Sequence, residues 1–276
     1  MSRVEIVNRT RESFLTRKKV QKIVDFVLKE EGKDFPGCLS IAAVDEEEIR
    51  SLKKRFFHQD ACTDVISFFY GFSDEDDIWG EIIICPAVVK QEAHVRGESE
   101  ERALSIVLIH GLLHLLGYED EDAEKARVME ERQEALYRLL EEEEEREKLI
   151  KRAIKVREYA YAPYSSFPVG AALLGYDGDI FTGCNVENAS LGLTICAERV
   201  AIFKAISQGV REFKRIAIIA DPSSYCFPCG ACRQVLYEFA PQLEVIAAKS
   251  DRDYEIVSLH SLLPRAFFLR NDDRKE

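Results

Sequence analysis

The chain has 276 residues, a net charge of −12 and 46% hydrophobic residues, with 16 Phe among them. This argues for globular structure in about two domains, each with its own core. No apolar run is long enough to cross a membrane, and Met1-Ser2-Arg3-Val4-Glu5 lacks the apolar stretch of a secretory signal. Eight cysteines in such a chain read as reduced thiols and ligands rather than a disulfide framework, so the expected compartment is the cytoplasm. The charge is uneven. Residues 1–150 carry 22 basic and 35 acidic groups, and residues 151–276 carry 16 and 15. Neither half has the broad basic balance of a general nucleic-acid binder. Residues 1–60 nevertheless hold 13 basic against 11 acidic groups, including Arg50, Lys53, Lys54 and Arg55. That cluster reads as a local phosphate-facing patch or as a solvated helix face.

In chain order, residues 4–7 read as a short strand, and Val20, Ile23, Val24, Val27 and Leu28 recur at helical spacing up to Gly32. Residues 38–44 form a second strand, 46–57 a helix, and 65–69 and 78–85 two further strands around the acidic loop 73–77. A helix beginning near Ala103 carries His110 and His114, four residues apart and therefore on one face, with Gly117 as a left-handed stop. The pair reads as a metal site or as core histidines. Gly111 stands where a zincin protease needs its glutamate, which excludes that class.

The first half resembles the YbeY family of single-strand-specific endoribonucleases that mature ribosomal RNA. The likeness spans residues 1–146 and rests on Thr63-Asp64-Val65-Ile66-Ser67-Phe68, Gly80-Glu81-Ile82-Ile83-Ile84-Cys85, His110-Gly111-Leu112-Leu113-His114-Leu115-Leu116-Gly117-Tyr118 and Met129. It implies a metal-dependent α+β domain acting on RNA or docking on the ribosome, with zinc or another divalent metal held by three ligands. Two of those ligands are His110 and His114. Ten residues after His110, where the family has its third histidine, this chain has Asp120. Phe57 replaces the family's arginine and Gln59 its lysine. Asp is a legitimate ligand, but both changes remove positive charge that phosphoryl transfer draws on. The expectation is a metal-binding domain with altered or weakened nuclease activity.

From Glu119 to Ala162 there is no Gly or Pro, and Glu141 to Glu145 is an unbroken acidic run. It reads as a solvated helical bridge, with a disordered linker as the alternative. Beyond it, residues 171–175 and 180–183 form a hairpin, 198–207 a helix and 215–220 a strand. Another helix starts at Cys229 and Cys232, and residues 243–248 and 254–259 complete a mixed sheet between helices.

Cys196-Ala197-Glu198 and Pro228-Cys229-Gly230-Ala231-Cys232 offer three thiolates with a carboxylate two residues past the first. Such a set suits zinc with one open position, and the carboxylate is near enough to move protons without being a ligand. A closed four-cysteine knuckle including Cys226 is the bland alternative. With Tyr161-Ala162-Pro163-Tyr164-Ser165, Phe167-Pro168-Val169-Gly170, Gly183-Cys184-Asn185-Val186-Glu187-Asn188-Ala189-Ser190 and Leu262-Leu263-Pro264-Arg265-Ala266-Phe267, residues 147–276 resemble the homotetrameric cytidine deaminases that act on free nucleosides.

The resemblance implies an α/β/α three-layer domain with a mixed sheet and a Zn2+ held by Cys196, Cys229 and Cys232. Water activated there would attack C4 of the pyrimidine, with Glu198 as the catalytic proton carrier. Arg199 would offset the surplus thiolate charge. Phe167, Asn185, Glu187 and Ala197 would contact the free nucleoside, and Phe267 would reach a neighbouring subunit of a homo-oligomer. Leu191 departs from a tyrosine common in the family, leaving that contact in question.

Overall fold

A computed structural model of the chain describes residues 3–12, 15–71 and 77–267. Its contacts divide the chain into two units, Met1–Glu141 and Glu142–Glu276. In the first unit, β1 (Arg3–Asn8), β2 (Cys38–Ala43), β3 (Val65–Phe69) and β4 (Ile78–Ile84) form a sheet in the order β1-β2-β4-β3. β1 and β2, and β2 and β4, are parallel; β3 runs antiparallel to β4 as an edge strand. Side chains alternate between the two faces, as the strand period requires. Leu39, Ile41, Ile82 and Ile84 join a large core with α1 (Arg17–Glu30), α3 (Pro86–Arg96) and α4 (Glu100–Leu115). Ala42, Ile66 and Ile83 face Ile49 of α2 (Glu46–Phe57) on the other side.

The helices start where their caps are. Thr16, Asp45 and Ser99 each accept a backbone N–H three residues on, satisfying a donor that has no partner inside the helix. α1 stops before Gly32 (φ +62°), and α4 is followed by Gly117 (φ +93°). Helix α3 has no counterpart in the sequence reading. Only Pro86, Val89 and Ala93 are buried along it, too thin a stripe to read, although Pro86 opens it and Gly97 closes it in a left-handed turn. Residues 73–76 of the expected acidic loop lie outside the described residues; Asp77 pairs with Arg3 at 2.9 Å.

In the second unit, β5 (Gly170–Gly175), β6 (Ile180–Cys184), β7 (Phe213–Ile219), β8 (Glu244–Ala248) and β9 (Tyr254–Ser258) are ordered β6-β5-β7-β8-β9. Only β7 and β8 are parallel, so the sheet is mixed. Ala171, Leu173, Ile216, Ile218 and Val245 pack with α6 (Ala197–Ser207) and α7 (Gly230–Phe239). Their strand neighbours Ala172, Leu174, Ala217, Ile219 and Ile246 pack on Leu149, Ile150 and Ala153 instead. A 3-10 turn at Leu191–Leu193 and the short α8 (Leu259–Leu262) were not read from the sequence.

Helix α5 (Ala123–Arg157) gives Met129, Leu136, Tyr137 and Leu140 to the first core and Leu149, Ile150 and Ala153 to the second unit. The glutamate run lies inside this helix, which excludes the disordered alternative. Nor is the run simply solvated. Glu145 pairs with Lys214 at 2.7 Å and with Arg215 at 3.2 Å, and Arg215 Nη1 donates to the Glu142 carbonyl. Arg146 binds both oxygens of Glu244 at 3.0 Å. Basic side chains from β7 pair with one edge of the run, while Glu142 and Glu145 keep 43% and 41% of their side-chain surface in solvent. Among the described residues no helix is long and apolar enough to cross a membrane.

Candidate metal centres and the site around Glu198

In the second unit, two helix starts converge. Cys196 is the N-cap of α6, Cys229 is the N-cap of α7, and Cys232 lies in the first turn of α7. Helix N-termini favour thiolate over thiol. The three sulfurs lie within 4.8 Å of one another, with Cys196 and Cys229 at 4.0 Å. Tetrahedral zinc with sulfur bonds of about 2.3 Å spaces its sulfurs by about 3.8 Å, so the donor set fits that ion. Among the described residues Cys226 is not part of the converging group, so the four-cysteine knuckle is not built. Burial pushes the Cys226 thiol up to about 11.

Cys196 is drawn down to about 5, first by its hydrogen bond with Cys232 and then by Arg199. Cys232 moves up for the same reason, because one proton stays between the pair. Arg199 donates from Nη2 to the Thr194 carbonyl at 2.9 Å and to Cys196 Sγ at 3.5 Å, where it offsets thiolate charge. Glu198, on the first turn of α6, is 4% exposed, and burial raises its carboxyl to about 7. The approach of β6 to α6 requires Gly183. A Cβ there would lie 2.4 Å from the Ala197 carbonyl oxygen and 2.6 Å from the Ala201 nitrogen.

Asn185 and Glu187 do a job the sequence did not announce. Asn185 accepts from Val169 N and donates to the Phe167 carbonyl, at 2.8 and 2.9 Å. Glu187 accepts from Tyr164 N at 2.8 Å, from Ser165 N, and from the Ser165 hydroxyl. Together they hold the loop that presents Phe167, which is 43% exposed. Ala197 is fully buried, whereas Leu191 and Phe267 stand out in solvent. The Phe267 backbone is gripped on both sides by the Gln234 amide.

In the first unit, His110 and His114 project from α4, and their Nε2 atoms meet at 3.1 Å. His114 Nδ1 lies 3.1 Å from the Tyr118 carbonyl, which only accepts, so Nδ1 carries the proton and Nε2 its lone pair. His110 Nδ1 lies 3.0 Å from Gln133 Oε1 on α5, with the same consequence. Two lone pairs face each other, and Asp120 Oδ2 approaches His114 Nε2 to 3.8 Å. A cation resolves that opposition. Tetrahedral zinc with nitrogen bonds of about 2.0–2.1 Å spaces its nitrogens by about 3.3 Å, so the pair fits. Burial, then the neighbouring His114, disfavours a proton on His110. Gly111 has a packing reason as well: a Cβ there would lie 2.9 Å from Ile82 Cγ2 and 3.0 Å from Ser67 Oγ.

Comparison with known proteins matches both units. The family model for Endoribonuclease YbeY covers residues 5–141. The model for the cytidine and deoxycytidylate deaminase zinc-binding region covers residues 143–248. A cytidine deaminase of Sporosarcina psychrophila is 52% identical over 122 residues, which are 44% of this chain and 90% of that protein. An Endoribonuclease YbeY of Macrococcus caseolyticus is 36% identical over 125 residues, 42% of this chain and 81% of that protein. The chain belongs to both families, YbeY first and cytidine deaminase second. A solved cytidine deaminase from Burkholderia pseudomallei is 51% identical with a TM-score of 0.42, covering 44% of this chain and 97% of that one.

Within the YbeY unit, Gln133 and the Tyr118 carbonyl were missed by sequence reasoning. Tyr118 was within reach, four residues past His114; Gln133 carries no local signal. Gln133→Leu is expected to lower zinc affinity of the YbeY unit by about 10–100-fold. Competition with a chromophoric chelator measures it, and an unchanged affinity would show that Gln133 does not set the His110 tautomer. Within the deaminase unit, Ser165 stands in a motif that carries the resemblance, but its bond to Glu187, like that of Gln234 to Phe267, has no local signal.

Proposed function

We propose that the chain is bifunctional. Residues 147–276 would deaminate free cytidine or deoxycytidine to the uridine nucleoside and ammonia. Residues 1–146 would cleave single-stranded RNA in ribosomal RNA maturation. The observation that carries the first activity is a buried Glu198 carboxylate beside three converging sulfurs. Zinc held by Cys196, Cys229 and Cys232 brings the pKa of a water molecule near neutrality when bound. Glu198 would take one proton of the attacking water and deliver it to ring N3, then carry the proton of the new C4 hydroxyl to the amino nitrogen, so that the C4–N bond breaks and ammonia leaves. Arg199 offsets the charge of three thiolates through its contact with Cys196. Phe167 packs on the base, and Asn185 and Glu187 receive the sugar 3′-hydroxyl; Ala197, expected beside them, is fully buried and has no surface to offer the base. A carboxylate at that point rejects a 3′-phosphate, so nucleic-acid strands stay out.

The two apolar clusters on opposite faces of the mixed sheet support an α/β/α layering. Exposed Phe167, Leu191, Leu193 and Phe267 support a homo-oligomer, a tetramer in this reading. Eight free thiols support a reducing, cytoplasmic compartment. Cytidine turnover, followed by loss of ultraviolet absorbance and release of ammonia, tests the deaminase. It should vanish on chelation and return with zinc. A zinc-loaded chain that leaves cytidine intact would sink the reading.

In the first unit His110, His114 and Asp120 would hold zinc or another divalent ion. Such an ion stabilises negative charge developing on phosphate oxygens. A second reading makes this unit a non-catalytic ribosome-binding or assembly module, and Asp120 with Phe57 favours it. Asp120→His separates the two. Faster cleavage of single-stranded RNA by the variant, by about tenfold or more, supports a weakened nuclease, since one oriented electrostatic group carries at least that much. Equal and robust cleavage means that Asp120 does not weaken the nuclease; no cleavage by either protein, with about two metal equivalents bound per chain, favours the module.

A further inference from the structure

The C-terminal end of α2 carries a surface that neither metal centre uses. Phe56 and Phe57 are its last two residues, 50% and 48% exposed. His58 then adopts a left-handed conformation (φ 58°), unusual for a residue with a side chain, and ends the helix. Beside them is Phe68 of the edge strand β3. Its ring lies 5.0 Å from Phe56, edge to face, and 6.2 Å from Phe57, tilted by 30°. The Arg55 guanidinium sits 5.2 Å from the centre of the Phe56 ring. An aromatic cluster with two members half in solvent is not a core.

The charge around these rings selects the partner. Residues 50–59 contain Arg50, Lys53, Lys54 and Arg55 and no acidic residue, in a chain whose net charge is −12. Asp60 engages Arg50 at 2.6 Å and Lys54 at 2.9 Å, and still leaves the segment net positive. Exposed aromatic faces interleaved with cations are what a single strand needs: rings for the bases and charge for the phosphates. A protein partner would be served by aromatic rings without a local excess of cations.

We infer that Phe56 and Phe57, backed by Phe68 and flanked by Arg55 and Lys53, form a base-stacking platform for single-stranded RNA. The inference rests on the RNA reading of the first unit and adds how the strand is gripped. At Phe57 the grip is on a base rather than on a phosphate.

The test is binding of the full chain to a labelled 2′-O-methyl single strand, which resists cleavage, and to an abasic strand of equal length. Phe57→Ala should weaken binding to the intact strand about tenfold, the order of affinity that one stacked base contributes. It should leave the abasic strand unaffected and the salt dependence unchanged, because no phosphate contact is removed. Phe57→Trp should restore affinity, which loss of folding would not allow. Equal binding of the intact strand by parent and Phe57→Ala overturns the platform while the RNA reading stands. An equal loss on the abasic strand also overturns it, in favour of a phosphate or folding effect. A change in sedimentation on Phe57→Ala without change in RNA affinity overturns it in favour of a protein contact. A parent that binds neither strand overturns the RNA reading and the platform together.

Discussion

Glu198→Gln is expected to reduce cytidine deamination by about 10²–10⁴-fold, the range for removing a positioned proton carrier. The substitution keeps the shape of a side chain that is 4% exposed and packed at the first turn of α6. It also leaves the sulfurs of Cys196, Cys229 and Cys232 in place. Zinc content should therefore stay at the parent's value while turnover collapses. Cys196→Ala is the contrasting control, expected to lose the deaminase zinc and the activity together. Rates come from ultraviolet absorbance and metal content from mass spectrometry on the same samples. If Glu198→Gln retained full turnover, another group would have to carry the proton. If it lost zinc, Glu198 would belong to the metal site rather than to the reaction.

Arg215→Ala should destabilise the deaminase unit by about 1.5–3 kcal/mol, the contribution of hydrogen bonds made to charged groups by a buried side chain. The Arg215 side chain is 4% exposed and lies 3.2 Å from Glu145 and 3.3 Å from Glu244. Without it, Glu145 keeps Lys214 and Glu244 keeps Arg146, but both carboxylates lose the cation between them. The loss is a large part of the 5–15 kcal/mol that holds a typical domain. Since the single Trp79 lies in the first unit, its fluorescence is the wrong probe. Urea unfolding should instead follow the far-ultraviolet helical signal and the reactivity of the buried Cys232 thiol. A midpoint shift equivalent to less than about 1 kcal/mol would mean the network behaves as an exposed one.

Much of the architecture was legible because its signals are local. Helix α2 ran from Glu46 to Phe57 as read, since Asp45 caps it and an acidic first turn suits the helix dipole. Both groups of candidate ligands stood out for a similar reason: His110 and His114 share a helix face, and Cys229 and Cys232 share a helix start. What stayed hidden depends on residues far apart in the chain. Gln133 reaches His110 across 23 positions, and Ser165 reaches Glu187 across 22. The helix through the glutamate run was legible, but its partners Lys214 and Arg215 were not, because they arrive from β7, about 70 residues later. Helix α3 failed differently, with three buried positions too sparse to mark a face.

The hold that Asn185 and Glu187 keep on the loop carrying Phe167 has a consequence for changing what the deaminase unit accepts. In the proposed site these two side chains read the sugar and Phe167 reads the base. The two readings share one mechanical support. Redesigning Glu187 for a different sugar would also slacken the wall against the base, through Tyr164 and Ser165. Tolerance on one half of the nucleoside would therefore bring looseness on the other. A selective variant would need a new strut for the loop before a new acceptor for the hydroxyl.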